Sequence, residues 1–582
     1  MTVLNFRPSP LQKPSPAYNR FSGLPRWSVL AGAALLSACS SVVLPPWPAN
    51  QGPSASSARP ESNTTRPNTG EAQTQPVTPR TDLMPLPYSA AVGARFPDPA
   101  TLYETPGLIR NKYTSARELS AWLRAQADSS LGKSTRLGLV QAGSSQQGQP
   151  IEALIATRTV GIQPAALNAS GRPTVMIVGQ QYGDEPAGAE ALLVIARELA
   201  PGGLLEPLLD RINVVLVPRA NPDGAAQGSR NTADGTDLDE DHLLLRTPEA
   251  RALAALTRDY RPMAVLDLHE YPAMGRFVEK YHAIQSYDSL LQYSITPNLH
   301  EFVAKAEREW YAQPLRNALT QAELTNEWYY STSADLQDKA LSMGSIAPTN
   351  LRNTSGLKNS AALTISSRGS DLGRAHIQRR VHTLVTSVSR SLLNTAERAK
   401  ELNQVQTFVA RDTASMACRQ QLVVQARTLP EQRTLTMLQP DSGADINVRV
   451  DWNSALQSKP TLTRPRPCGY WLSANALPAV EKLRLMGLQV LRVAEAGQLI
   501  ADSYNETRTI DGNSGYTLTR GSVDASEGSF YVSLNQPLAN LAAAALEPDN
   551  SYSYAAQGLL PSLGDLARVI TPPSVVFEEE ND

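Results

Sequence analysis

An α/β fold, with a mixed sheet flanked by helices and a smaller α+β domain behind it, is predicted by three features of this sequence. Apolar runs at 175–178, 212–218 (this one β-branched as well) and 264–268 read as buried strands. Helix-patterned segments lie between them, the order expected of crossovers in a sheet with parallel strands. Beyond residue 404 the pattern changes to short alternating runs, the mark of antiparallel strands.

The chain opens with basic residues (Arg7, Lys13, Arg20, Arg26) and then an apolar run from Trp27 to Ala38. This is a signal-peptide pattern over 1–38, too short to span a bilayer comfortably. Leu36-Ser37-Ala38-Cys39 looks like the lipobox of bacterial lipoproteins, which implies lipidation of Cys39 and a membrane anchor without a transmembrane helix. Ser40 follows, not the aspartate that usually retains such proteins at the inner membrane, so the expected location is the outer membrane, facing the periplasm. Residues 39–82 are rich in Pro, Ser, Thr, Asn and Gln and cannot bury enough apolar surface to offset ordering, so they read as a flexible tether.

Ordinary globular patterning fills the rest, divided into an α/β domain over 83–403 and an α+β domain over 404–582. A net charge of −2 gives no electrostatic case for nucleic acid. With Cys39 assigned to lipid, Cys418 and Cys468 remain, and in an oxidising compartment they are a possible disulfide.

In the first domain the run 175–178 leads through a glycine-containing turn to Glu185, just ahead of an apolar helical run, Ala189 to Leu199. A carboxylate at a strand-to-helix junction is well placed to hold a metal at a sheet's C-terminal edge. The strand 212–218 is followed by Asn221-Pro222-Asp223-Gly224, whose Asn-Pro and Asp-Gly pairs signal turns. Arg230 comes next, then Asp237-Leu238-Asp239-Glu240-Asp241-His242. Pro248 opens a helix carrying Leu253, Leu256 and Tyr260, and the strand 264–268 delivers His269.

This order of motifs over roughly Tyr113 to Asn394 resembles the zinc carboxypeptidases of the M14 metallopeptidase superfamily. The resemblance implies a zinc-carboxypeptidase-like mixed sheet, zinc as cofactor, and peptide hydrolysis. By position, Glu185 and His269 correspond to metal ligands and Arg230 to the group that polarises the scissile carbonyl. Tyr182 stands where the family's first motif, H-x-x-E, has its histidine. Asp239 and Glu240 stand at the Asn-Arg pair that grips the substrate's terminal carboxylate. Ser366, in Leu363-Thr364-Ile365-Ser366-Ser367-Arg368-Gly369, stands at the general-base glutamate.

Each departure has a chemical consequence. A phenol must lose a proton of pKa about 10 to bind zinc well. A serine hydroxyl cannot take a proton from metal-bound water at neutral pH, and loss of a general base alone costs about 10²- to 10⁴-fold in rate. Glu240 and Asp239 exchange a bidentate cation for negative charge, so a free C-terminal carboxylate is rejected and a cationic or amide-bearing group fits better. His242, beside Asp241, is the candidate substitute ligand, and Asp239, Glu240 or Glu270 the candidate substitute bases. Glu270 should face away from His269 if the strand pleat continues. The other histidines read as surface or helix residues, and Ser355-x-x-Lys358 matches a nucleophile motif by letters alone.

Farther on, residues 370–403 read as one amphipathic helix, Gln421–Ala426 and Leu435–Leu438 as short strands, and Leu477–Met486 as a helix. Gln489–Val493 and Phe530–Leu534 read as strands and Ala539–Ala545 as a helix. Two functions stand open: a carboxypeptidase-like lipoprotein binding peptide or murein peptide with little or no hydrolysis, and an active zinc peptidase using Tyr182, Glu185 and His269. A purely structural envelope role is a third.

Overall fold

The structure is a computed structural model that describes residues 87–508 and 514–578. The leader and tether read over 1–82, with Cys39, lie outside the described residues. Among the described residues no helix is long and apolar enough to cross a membrane.

Eight strands form the principal sheet, in the spatial order Arg136–Ser144, Pro150–Thr157, Asn213–Val217, Thr174–Gly179, Ala264–Tyr271, Ala361–Arg368, Ser289–Tyr293, Asn326–Trp328. Its centre is parallel and its flanks contain antiparallel pairs, so the sheet is mixed. The central strands are buried along their whole length, as their largely apolar sequences favour, with Asp267, His269 and Glu270 the polar residues of Ala264–Tyr271. Pleating divides their side chains between two faces. Met176, Val178, Val215, Val265 and Ala362 pack with Leu253, Leu256 and Leu357 from the helices Pro248–Tyr260 and Leu351–Leu357. The helices Pro186–Leu199 and Ile377–Glu397 pack together and against the central strands.

A six-stranded antiparallel sheet forms the C-terminal part, ordered Leu491–Arg492, Phe530–Ser533, Gly469–Leu472, Leu566–Val569, Gly497–Arg508, Ser514–Ala525. A five-stranded sheet draws on both regions, joining Ile284–Gln285, Ser331–Thr332 and Ala340–Ser342 to the long strands Gln421–Leu438 and Asp445–Pro465. The core is continuous as well. Leu253, Leu256 and Tyr260 belong to the same buried cluster as Val480, Leu483, Leu534 and Leu541. Lys482 Nζ donates to Leu245 O at 2.6 Å and Tyr554 Oη to Leu243 O at 3.1 Å.

Three elements differ from their sequence reading. The helix expected over 370–403 is two, Ile377–Glu397 and Ala399–Ser415, because Arg398 leaves helical geometry at φ −109°. The short strands expected at Gln421–Ala426 and Leu435–Leu438 are the ends of one 18-residue strand. Its middle is largely solvent-facing and so shows no apolar alternation, while the ladder to Asp445–Pro465 holds it extended. The strand expected at Gln489–Val493 is reduced to Leu491–Arg492, with Val493 bridging to Phe577. Cys418 and Cys468 are disulfide-bonded, 50 residues apart in sequence.

Candidate active site

Two turns at the C-terminal edge of the principal sheet build the site. The strand Thr174–Gly179 leads into Gln180–Glu185, and the strand Asn213–Val217 leads into Asn221–Gly224. Asn221 ties them together: its Oδ1 accepts from Gly224 N at 2.8 Å and its Nδ2 donates to Gln181 O at 3.1 Å. Ala220 N and Asn221 N donate to Gly179 O and Gln180 O. A Cβ at Gly183 would run into the Gly224 backbone, so glycine is required for the two turns to meet. Glu185 thereby falls at the N-cap of the helix Pro186–Leu199.

The edge opens into a cavity of about 440 Å³ lined by Tyr182, Glu185, Arg230, Asp239, Glu240, His269 and Ser366 among others. The residues singled out from the sequence are therefore brought to one place. His269 Nδ1 lies 3.0 Å from Glu185 Oε2, and His269 Nε2 lies 2.9 Å from Asp267 Oδ2. Burial opposes charge on His269, but Asp267 and Glu185 outweigh it and hold the imidazole well above its ordinary pKa. Burial pushes the Glu185 carboxyl up to about 7, against the opposing pull of His269. Across the parallel strand pair Ser366 sits in register with His269. Its Oγ is fully buried and has no hydrogen-bond partner among the described residues.

The Tyr182 ring lies 4.9 Å from His269, centroid to centroid, and the Arg230 guanidinium sits over that ring at 3.4 Å. Arg230 is half-exposed and reaches Glu185 at 3.9 Å and Asp237 at 3.7 Å. The two acids at the anchor positions have found neighbours in the chain. Asp239 Oδ1 accepts from Leu351 N at 3.1 Å, and Glu240 accepts from the Thr349 hydroxyl. Burial, then the charge of Asp239, raises the Glu240 carboxyl to about 7.

Glu270 is not positioned as a substitute base: its carboxylate accepts from Ala187 N at 2.8 Å and Arg380 Nε at 2.7 Å. His242 is not a substitute ligand. Its Nε2 meets Gln181 Oε1 at 2.7 Å, and Gln181 Nε2 donates to Asp267 Oδ1 at 2.7 Å, which puts His242 one layer behind the cavity wall. Burial lowers its pKa to about 4. Among the remaining histidines His300 caps the helix Glu301–Ala306, is buried, and is bonded to Asp412 at 3.0 Å.

Sequence reasoning missed Asp267, Gln181 and Tyr329, and read Arg352 only as the start of the late motif that leads to Ser366, without a role. Asp267 carried a signal, since it lies two residues before His269 on the same strand face. Buried Arg352 lines the cavity, within 3.3 Å of Thr364 Oγ1 and 3.1 Å of Ser345 O, and burial lowers its pKa.

The donor set answers to zinc in part. Glu185 and His269 converge, and Asp267 behind the imidazole is the carboxylate that usually orients a metal-binding histidine. Asp239, Asp267 and His269 also form a group whose ligand atoms lie within 4.8 Å of one another. The third arm does not fit. Burial and the charge of Asp239 raise the Tyr182 pKa well above its ordinary value, leaving a neutral phenol where a catalytic zinc needs a third firm ligand.

Residues 121–346 match the family model described as zinc carboxypeptidase. Carboxypeptidase 2 of Trichophyton rubrum is 26% identical over 401 residues, covering 66% of this chain and 74% of that protein. Carboxypeptidase SOL1 of Arabidopsis thaliana is 30% identical over 153 residues, covering 24% of this chain and 30% of that protein. Among solved structures, a metallo-carboxypeptidase from Burkholderia cenocepacia has a TM-score of 0.36 and 17% identity, covering 48% of this chain and 68% of its own.

Proposed function

Because this chain carries a zinc carboxypeptidase domain of the M14 family, we propose that it is a metallocarboxypeptidase-like envelope lipoprotein whose cleft binds peptide or murein peptide with little or no hydrolysis. The observation that carries this reading is the condition of the anchor: Asp239 and Glu240 now hold the Thr349–Leu351 loop. A terminal carboxylate entering the cavity meets these two acids at the anchor positions, while the Arg352 guanidinium in the same lining is engaged by Ser345 O and Thr364 Oγ1. Arg230 remains available to donate to a peptide carbonyl, being half-exposed and stacked on Tyr182. At Ser366 no group can accept a proton from an attacking water. The cleft therefore favours a peptide end without free negative charge, an amide or an amine. Lipid attachment at Cys39 would place this cleft on the periplasmic side of the outer membrane.

A second reading, an active zinc peptidase using Tyr182, Glu185 and His269, is favoured by one observation, the Asp267-backed convergence of His269 on Glu185. Zinc content and peptide turnover of the purified chain, beside His269→Ala, separate the two. The proposal expects background turnover of unblocked peptides and saturable binding of a C-terminally amidated peptide in preference to its free acid. Turnover that depends on zinc and disappears in His269→Ala would overturn it and establish the second reading.

A further inference from the structure

A second cavity, of about 520 Å³, lies where the helices Pro248–Tyr260, Leu351–Leu357 and Ala399–Ser415 meet the segments 486–489 and 536–538. Its lining contains Lys358, Arg258 and Arg261 and no acidic residue. The polar remainder is hydroxyl and amide, including Thr257, Ser355, Gln406 and Gln536.

Lys358 is half-buried here, and among the described residues no carboxylate pairs with it. An ammonium carries three donors. Lys358 Nζ gives one to Thr257 Oγ1 at 2.9 Å, and the Thr257 hydroxyl passes its own proton to Ala254 O at 2.8 Å. No other protein acceptor takes a Lys358 donor among the described residues. Arg258 is exposed and pairs with Asp259 at 2.7 Å, outside the lining, and Arg261 is exposed. Three cationic residues thus line one solvent-reachable space, and the one carboxylate paired with any of them, Asp259, lies outside its lining.

We propose that this cavity is an oxyanion site, with Lys358 on its inner wall and Arg258 and Arg261 at its mouth, for a small ligand carrying a carboxylate or a phosphate group. A bound oxyanion would supply the acceptors that Lys358 lacks and the countercharge absent from the lining, and charge-assisted hydrogen bonds of this kind are about twice as strong as neutral ones. The Ser355-x-x-Lys358 pattern gains no nucleophilic role: both residues line the cavity, but no hydrogen bond joins Ser355 Oγ to Lys358 Nζ.

Binding should be pH-dependent. Burial, then the charge of Arg258, depresses the Lys358 pKa to about 7. The other charged or titratable groups that act on it are Arg258 and His242, and Arg261 lines the same cavity. The arginines stay charged, and His242 stays neutral above about 4. Anion affinity is therefore present below about pH 7 and lost as the pH rises through that value.

Calorimetric titration of the intact chain with sodium sulfate and with sodium acetate, against sodium chloride at matched ionic strength, tests this. Saturable binding of either oxyanion is expected, weakened at least about tenfold between about pH 6 and about pH 8.5. It should be similarly weakened in Lys358→Met and kept in Lys358→Arg at both pH values. Sulfate alone binding identifies a phosphate-type ligand, and acetate alone a carboxylate. No saturable binding of either, or equal binding in Lys358→Met, would overturn the proposal. If Lys358→Met does not fold, the pH series on the unaltered chain decides, and pH-independent binding overturns it.

Discussion

At position 366 a buried hydroxyl faces His269 across a parallel strand pair, and its neighbourhood shows how replacements at one site depend on each other. A carboxylate restored there has no firmly held metal to work with while Tyr182 remains a neutral phenol. Ser366→Glu alone should leave peptide turnover at background. Combined with Tyr182→His it should raise turnover by about 10²- to 10⁴-fold, read as product released per mole of enzyme with added zinc. Equal activity in the single and double variants would show that the third ligand is not what limits the site. The replaced positions Tyr182, Asp239, Glu240 and Ser366 were legible in the sequence because the resemblance to the zinc carboxypeptidases supplies a counterpart residue for each. The partners of Asp239 and Glu240 were not. Leu351 and Thr349 reach them only because a loop more than 100 residues downstream folds back over the cavity. Arg352 follows that loop on the helix Leu351–Leu357; its motif was legible, but its place in the cavity was not.

Among elements, the paired turns at Gln180–Glu185 and Asn221–Gly224 carry the site, and Gly183 is where they touch. Gly183→Ala forces its Cβ into the Gly224 backbone. The substitution should cost about 1–3 kcal/mol, read as a lower urea midpoint, and should also displace Tyr182 and weaken peptide binding. An unchanged midpoint would mean that the turns separate freely. The strands feeding these turns were legible because burial on both faces makes them continuously apolar. The long strand Gln421–Leu438 was not. Solvent covers its middle, so register there is set by its ladder and not by an apolar face. The break at Arg398 was hidden for a related reason: both helices it separates are amphipathic, and periodicity cannot date the moment a backbone leaves helical geometry.

At the scale of the whole molecule, the residues after 404 complete the core of those before it. The helix Leu477–Leu485 packs on Pro248–Tyr260 within one shared buried cluster, so removing the later residues would expose apolar surface of the first region. A fragment ending at residue 403 should therefore bind a hydrophobic dye strongly and lose its cooperative thermal transition, where the longer chain melts cooperatively. A sharp melt with no dye binding would show that the first region stands alone. The division near 404 was read from a change of pattern, and sequence pattern carries no information about which apolar faces of two regions meet.

The bond between Cys418 and Cys468 encloses the whole hairpin of Gln421–Leu438 and Asp445–Pro465. Asp441 and Ser442 are exposed at its tip, on the surface-loop type that proteases nick first. A single cut there leaves one cysteine on each piece. The nicked protein then stays one covalent particle in an oxidising compartment, holding both cavities together, and comes apart into two polypeptides only when a reductant and a denaturant act together.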